Sequence, residues 1–217
     1  MRGLMVKDYK LMMKKKKYFV MFAVMAVFLS FSLNGSFITS YLTMVGLIMA
    51  VSTISLDEFD NGLPFLMTFP IRRKDYAMEK VLFSCICLVA FWLMGGILQV
   101  IVSTLTGKEM DIPEMAAEAV VFLLIFCIIL AVLVPVELHF GMEKSRMAML
   151  LIGGCGFVIG AFGPKLLAKT GIDLRPIEGA IAQTPSWLLM LIGIVITAAA
   201  LFLSVVVTTK VMEKKEF

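Results

Sequence analysis

The sequence predicts an all-α integral membrane protein, with six helices crossing a bilayer and an N-terminal amphipathic helix lying on its surface. Three observations carry that reading. Of the 217 residues 60% are hydrophobic and only 17% are charged, against the roughly 45 to 50% apolar content of a soluble domain. The apolar residues gather into six runs, most of them near the ~20 residues a helix needs to cross the hydrocarbon core. The charges fall between the runs and favour alternate gaps, which is a topology signal and not the continuous basic face of a nucleic-acid binder. The net charge of +4 therefore implies no nucleic-acid partner.

Residues 1–17 open the chain as MRGLMVKDYKLMMKKKK, without a small-residue cleavage site behind a short apolar core, so a removed signal peptide is not expected. At 100° per residue Met1, Leu4, Met5, Leu11 and Met12 share one face, while Lys7, Lys10 and Lys14 share another. That is the pattern of an interfacial helix. Asp8 falls within the apolar face, which is costly unless a cation meets it, and Arg72 or Arg73 is the partner the sequence suggests.

The six runs are 18–33, 37–56, 81–105, 119–138, 147–163 and 187–207. An even number of spans puts both termini on one side. Arg2, Lys7, Lys10, Lys14 to Lys17, Arg72, Arg73, Lys74, Lys80, Lys144, Arg146, Lys210, Lys214 and Lys215 lie on the terminal side, against Lys108, Lys165, Lys169 and Arg175 opposite. Positive charge marks the cytoplasm, so both termini, the 57–80 loop and the 139–146 loop are expected there. The opposite connections are a tight turn at Asn34 to Ser36, a short loop from Lys108 to Glu118 and the 164–186 segment, in which Ile177 to Ala182 suits a short helix or re-entrant piece.

Within the spans, Gly156 and Gly160 form a GxxxG face suited to close helix packing, within one chain or between two. Pro135 frees a backbone carbonyl in the fourth span, as a hinge or a simple bend. Gln99, Ser103, Thr104, Ser52, Thr53 and Thr197 either line a polar path or bond across helices, the latter being the expectation for the hydroxyls. The 18 methionines suit either an adaptable ligand surface or an ordinary lipid face. Cys85, Cys87, Cys127 and Cys155 sit inside apolar runs and are expected as buried thiols. No histidine stands near Cys85 and Cys87 to complete a metal set, so no metal is expected. Glu137 and the only histidine, His139, are expected to be solvated where the fourth span ends; a single histidine there argues against an intramembrane enzyme.

The 57–80 stretch starts with Asp57, Glu58 and Asp60, continues through Leu63, Phe65, Leu66, Met67 and Phe69, and ends in Pro70, Arg72, Arg73 and Lys74. Acids early and cations late suit a short helix. Two readings fit these residues. One is a solvated loop whose charges only set topology; the other is a docking element whose aromatic and Met side chains need something to bury against.

DEFDNGLPFLMTFPIRRKDYAMEK resembles the first cytoplasmic loop of ABC-2 type transporter permeases. The likeness rests on the acidic pair Asp57 and Glu58, the Thr68, Phe69, Pro70 step, Ile71 to Arg73, and Lys80 opening the third span. Phe69 stands where the family usually has leucine, and Arg72 where it has serine. PVELHFGMEKSR resembles the family's proline-containing fourth span and the second cytoplasmic loop behind it, through Gly141, Glu143, Lys144 and Arg146. The short single-chain form resembles permeases of phenol-soluble modulin exporters, which move amphipathic peptides.

The resemblance implies a single transmembrane domain over residues 1–217, in a bacterial plasma membrane. It implies a non-catalytic subunit paired with a second permease copy, identical or paralogous, and with two copies of a separate ATPase. The chain itself would hold no cofactor, ATP and Mg being bound by the ATPase; GxxxxGK[ST] is absent from this sequence. The ATPase-coupling surface it implies comprises Asp57, Glu58, Asp60, Leu63, Phe65, Leu66, Phe69, Pro70, Arg72, Arg73 and Lys74. The substrate implied is an amphiphile. The rival is an ion-gradient-driven secondary transporter or channel, which should show acids at midspan and an internal repeat. The apolar runs carry almost no charge and their halves are unlike.

Overall fold

A computed structural model describes residues 2–14, 16–30, 37–58, 62–107, 111–169 and 185–215, with backbone alone for 142–169 and for 186. Every regular element among the described residues is a helix: α1 (Arg2–Lys14), α2 (Lys16–Ser30), α3 (Phe37–Glu58), α4 (Gly62–Leu66), α5 (Arg73–Thr106), α6 (Ile112–Lys169) and α7 (Ser186–Lys214). Among the described residues four segments are long and apolar enough to cross a membrane: Phe37–Glu58, Arg73–Thr106, Ile112–Gly141 and Trp187–Lys214. They contain the runs expected at 37–56, 81–105, 119–138 and 187–207. The run at 18–33 meets α2, whose 15 residues reach about 22 Å at about 1.5 Å per residue. The run at 147–163 lies in the second arm of α6. The turn at Asn34 to Ser36 and the 177–182 piece fall outside the described residues.

Local chemistry explains several of these boundaries. Asp111 caps α6, its Oδ1 accepting the Glu114 amide at 3.3 Å, as an N-cap aspartate should. α5 has 34 residues and begins eight positions before the apolar run, because Tyr76, Ala77, Glu79 and Lys80 are buried against other helices. The loop expected at 139–146 is not a loop. The helix continues through it, broken only at Gly141 (φ 72, ψ 179). Pro135 keeps helical torsions, so the bend lies six residues beyond the proline.

α3 and α5 run antiparallel as the central pair. A Cβ added to Gly46 would lie 2.6 Å from Phe91 Cβ, and one on Gly95 would lie 2.9 Å from Thr39 Cα, so both positions exclude any larger residue without a shift. Close backbone approach of this kind drives helix association where lipid is the competing solvent. The Ile38 amide, one of the orphan donors at the start of α3, reaches Gln99 Oε1 at 3.1 Å, satisfying it within the bundle. Gln99 thus bonds across helices, while Ser52, Thr53 and Thr104 bond carbonyls of their own helices. α6 joins α5 through Trp92 Nε1, which donates to the Ala119 carbonyl at 2.8 Å.

One apolar core draws on six of the helices, among them Leu4 of α1, Ile54 of α3, Leu63 of α4, Tyr76 of α5, Leu130 and Leu138 of α6 and Met212 of α7. Much of it gathers at one end of the bundle, where α1, the start of α5 and the end of α7 meet. Cys87 and Cys127 are buried free thiols and Cys85 is half-buried; Cys155 lies in the part of α6 given as backbone only.

Candidate functional site

The lysine-rich end of the bundle carries three linked structures: a protruding turn, a buried ionic clasp and a junction at the α6 bend. The turn follows α4. Leu63, Leu66 and Met67, at helical i, i+3, i+4 spacing, face inward; Leu63 is 2% exposed, and Leu66, Met67 and Ile71 pack against the main core. The opposite face presents Phe65 and Phe69, 67% and 50% exposed, with ring centroids 5.6 Å apart edge to face. Amides of Met67, Thr68 and Phe69 close back on α4 carbonyls, and the Ile71 amide donates to Phe69 O at 2.7 Å around Pro70. The turn is therefore fixed from within, while Phe65 and Phe69 on its outer face stay largely exposed. Pro70, Arg72 and Lys74 share this exposure.

The clasp lies beneath the turn. Asp57, at the end of α3, is 7% exposed. Its carboxylate accepts from Lys7 Nζ at 2.7 and 2.6 Å and from Tyr76 Oη at 3.1 Å, with Lys80 Nζ 2.7 Å from Oδ2. Lys80 also donates to Asp8, both side chains being fully buried, and Lys7 Nζ stands 3.2 Å from Asp8 Oδ1. Two lysines and two aspartates thus balance inside the fold. The Tyr76 ring lies within 5.9 Å of Lys7 Nζ and 5.3 Å of Lys80 Nζ, adding cation–π attraction. Glu79 is buried beside them, with no hydrogen-bond partner for either oxygen among the described residues. Breaking such a pair by removing one member costs about 3–5 kcal/mol, because a charge is left buried alone.

The junction ties the remaining helices together. Gly141 has torsions that only glycine adopts readily, and a Cβ there would meet Glu58 Oε2 at 2.9 Å. Lys215, just beyond α7, donates to Glu58 Oε1 and to Leu138 O, the latter at 3.0 Å. Arg73 Nη1 donates to the carbonyls of Met212, Glu213 and Lys215 at 3.4, 3.0 and 3.0 Å, satisfying the end of α7. Lys74 pairs with Glu213 at 3.3 Å on the surface. These contacts join α3, α5, α6 and α7 at the end of the bundle from which the turn protrudes.

These positions divide the residues singled out by sequence. Asp57, Glu58, Leu63, Leu66 and Arg73 face into the protein, while Phe65, Phe69, Pro70, Arg72 and Lys74 form the outer face. Gly141 is the bend. Asp60 lies outside the described residues, as do the side chains of Glu143, Lys144 and Arg146 and the surroundings of Gly156 and Gly160. The cation opposite Asp8 is Lys80, not Arg72 or Arg73. Glu137, expected in water, is 2% exposed and accepts from the Ser55 hydroxyl; His139 is exposed as expected. Lys7, Tyr76, Glu79 and Lys215 carried no site role in the sequence reading. The available signal was that Asp57 and Lys80 bracket the polar stretch, each adjoining an apolar run.

The comparisons agree with this architecture. No curated protein and no solved structure matched the chain. The family model described as ABC-2 family transporter protein matches residues 3–213, from the second residue of α1 to the penultimate residue of α7. The chain thus belongs to the ABC-2 family of transporter membrane proteins.

Proposed function

We propose that this chain is the permease subunit of an ATP-driven exporter in a bacterial plasma membrane. It has six spans, α2 and the second arm of α6 supplying the first and fifth, and both termini are cytoplasmic. α1 lies at the membrane surface. The translocation path is formed with a second permease copy, identical or paralogous, and the substrates are amphipathic peptides or similar amphiphiles. Two copies of a separate ATPase bind ATP and Mg; this chain holds no cofactor and makes no bonds.

The observation that carries this reading is the Phe65–Phe69 pair, held outward on a turn that Leu63 anchors. Two phenylalanines exposed beside Arg72 and Lys74 at a polar helix end are poorly placed for lipid and well placed for a protein groove. Closure of the ATPases would press on this turn, and the clasp and junction would pass the displacement to the spans. Transport then requires that the two conformations bind substrate unequally.

The test is to co-express the chain with its ATPase, purify the complex in detergent, and compare wild type with Phe65→Ala/Phe69→Ala. Loss of the ATPase from the variant, with an unchanged melting temperature, is the expected result. A wild type that retains no ATPase, or a variant that retains it fully, removes the proposal. One observation favours the ion-driven alternative: Glu137 is buried in α6 with Oε2 unpartnered among the described residues. On that reading Glu137→Gln abolishes transport with no ATPase needed.

A further inference from the structure

The helices α6 and α7 leave a groove between them that runs from the bundle flank to its basic end. Its apolar part is an open slot of about 490 Å³, within the size range of small-molecule sites. Pro135, Val136, Phe140, Leu203 and Val207 are among the side chains lining it, and its walls are almost wholly apolar. A second recess adjoins it and shares His139, Val207 and Val211 with the first. Lys210, Lys214 and Lys215 line this recess. Lys215 is committed to Glu58 and Leu138 O, whereas Lys210 and Lys214 are exposed beside His139. Ser204, 2% exposed, lines the slot with a hydroxyl that has no partner among the described residues.

An apolar slot opening into a cationic mouth has the shape and charge order of a single ligand class. We propose that this groove holds an anionic phospholipid, with one acyl chain in the slot and the phosphate at Lys210, Lys214 and His139. The physical reasons are separate for the two halves. The slot gives a chain more van der Waals contact than a flat helix surface does. The mouth lies where basic residues next to a spanning helix attract anionic headgroups. Among the described residues α7 is otherwise largely uncovered, with Leu203 60% exposed and Val207 45% exposed, so a lipid reaches the groove laterally without any opening of the bundle. The site is independent of the ATPase partner. Seated there, the lipid would touch both α6 just before its bend and the end of α7 that Arg73 holds.

The experiment uses the full chain purified in mild detergent. Mixed micelles of dioleoylphosphatidylglycerol, dioleoylphosphatidylcholine with the same chains, or inorganic phosphate are titrated in, and retained lipid and melting temperature are read by native mass spectrometry and thermal unfolding. Phosphatidylglycerol is expected to stay bound and to raise the melting temperature, and the other two probes are not. Lys210→Gln/Lys214→Gln should weaken phosphatidylglycerol retention about tenfold or more; both side chains are exposed, so folding is preserved. Val207→Trp should block the slot and lose the lipid even if the lysines remain. Equal retention of the two lipids, a shift by phosphate alone, or unchanged binding in the lysine variant overturns the proposal. So does efficient disulfide formation between two chains carrying Leu203→Cys in native membranes, which would put a second copy on this face. If Val207→Trp fails to fold, a photoactivatable phosphatidylglycerol decides: labelled peptides from anywhere but 131–140 and 200–214 sink the idea.

Discussion

Lys80 and Asp8, 72 residues apart in the chain, meet as an ion pair with neither side chain exposed to solvent. The contact closes α1 over the adjoining ends of α3 and α5. Because Lys80 also faces Asp57, and Asp57 holds Lys7 of the same N-terminal helix, the pair is one side of a closed circuit of charge. α1 is thus held by buried electrostatics as well as by its apolar face.

Lys80→Met is expected to destabilise the protein by about 3–5 kcal/mol, since it removes the fully buried cation that Asp8 and Asp57 share and leaves both to the partly exposed Lys7. The double variant Asp8→Asn/Lys80→Met should recover part of that loss, because neither lone charge remains. Thermal unfolding in detergent measures both. Additive losses in the double variant would mean that packing, not pairing, fastens α1.

Gly141→Ala is expected to cost about 1–3 kcal/mol from backbone strain alone, and more if Glu58 must move from the 2.9 Å approach. Gly96 is the matched control, since an added Cβ there meets nothing within 4 Å. Gly96→Ala should be neutral or slightly stabilising, alanine being the better helix former. Comparable losses at the two positions would show that the α6 bend is not strained for other residues.

Arg73 and Lys74 are neighbours with different work. Arg73→Gln removes a donor from three carbonyls at the end of α7. Amide hydrogen exchange over 210–215 should rise while the rest of α7 stays protected. Lys74 and Glu213 are 67% and 47% exposed, so Lys74→Gln should change stability by no more than about 0.5 kcal/mol. Equal exchange in the two variants would remove the capping role.

The helical membrane architecture was legible because long apolar runs leave a backbone few alternatives in lipid. So was the need of Asp8 for a cation, since its place on an apolar face demands one. The identity of that cation was not. Lys80 sits among Asp75, Glu79 and other polar residues, and a hydropathy reading assigns such a stretch to water. The start of α5 was misplaced for the same reason: its first two turns are polar in sequence, yet Tyr76, Ala77, Glu79 and Lys80 are buried in the fold, where Asp8 and Asp57 neutralise Lys80. Gly46 and Gly95, which set the α3–α5 contact, have no spacing motif; only the crossing of two helices reveals them. The bend at Gly141 gave even less away, because a positive φ inside a helical run leaves no mark in hydropathy, and the Glu58 that a side chain there would meet belongs to another helix.

The protruding turn separates two kinds of phenotype within seven residues. Leu63 is buried in the main core, so Leu63→Ala should cost about 2–5 kcal/mol and lower ATPase coupling only by loosening the turn. Phe65 and Phe69 are largely exposed, and truncating either should leave the melting temperature of the isolated chain within about 1–2 °C, as for other surface changes. In the complex the same truncations should lose about 2 kcal/mol or more of partner binding each, if the rings fill a groove as buried aromatic anchors do. The measurement is a paired one on each variant: unfolding temperature alone, and affinity for the ATPase by titration. Stability loss at Leu63 with binding loss at Phe65 and Phe69 supports a built docking element. Loss of neither at the two phenylalanines would leave the turn as a solvated connection whose cations serve topology alone.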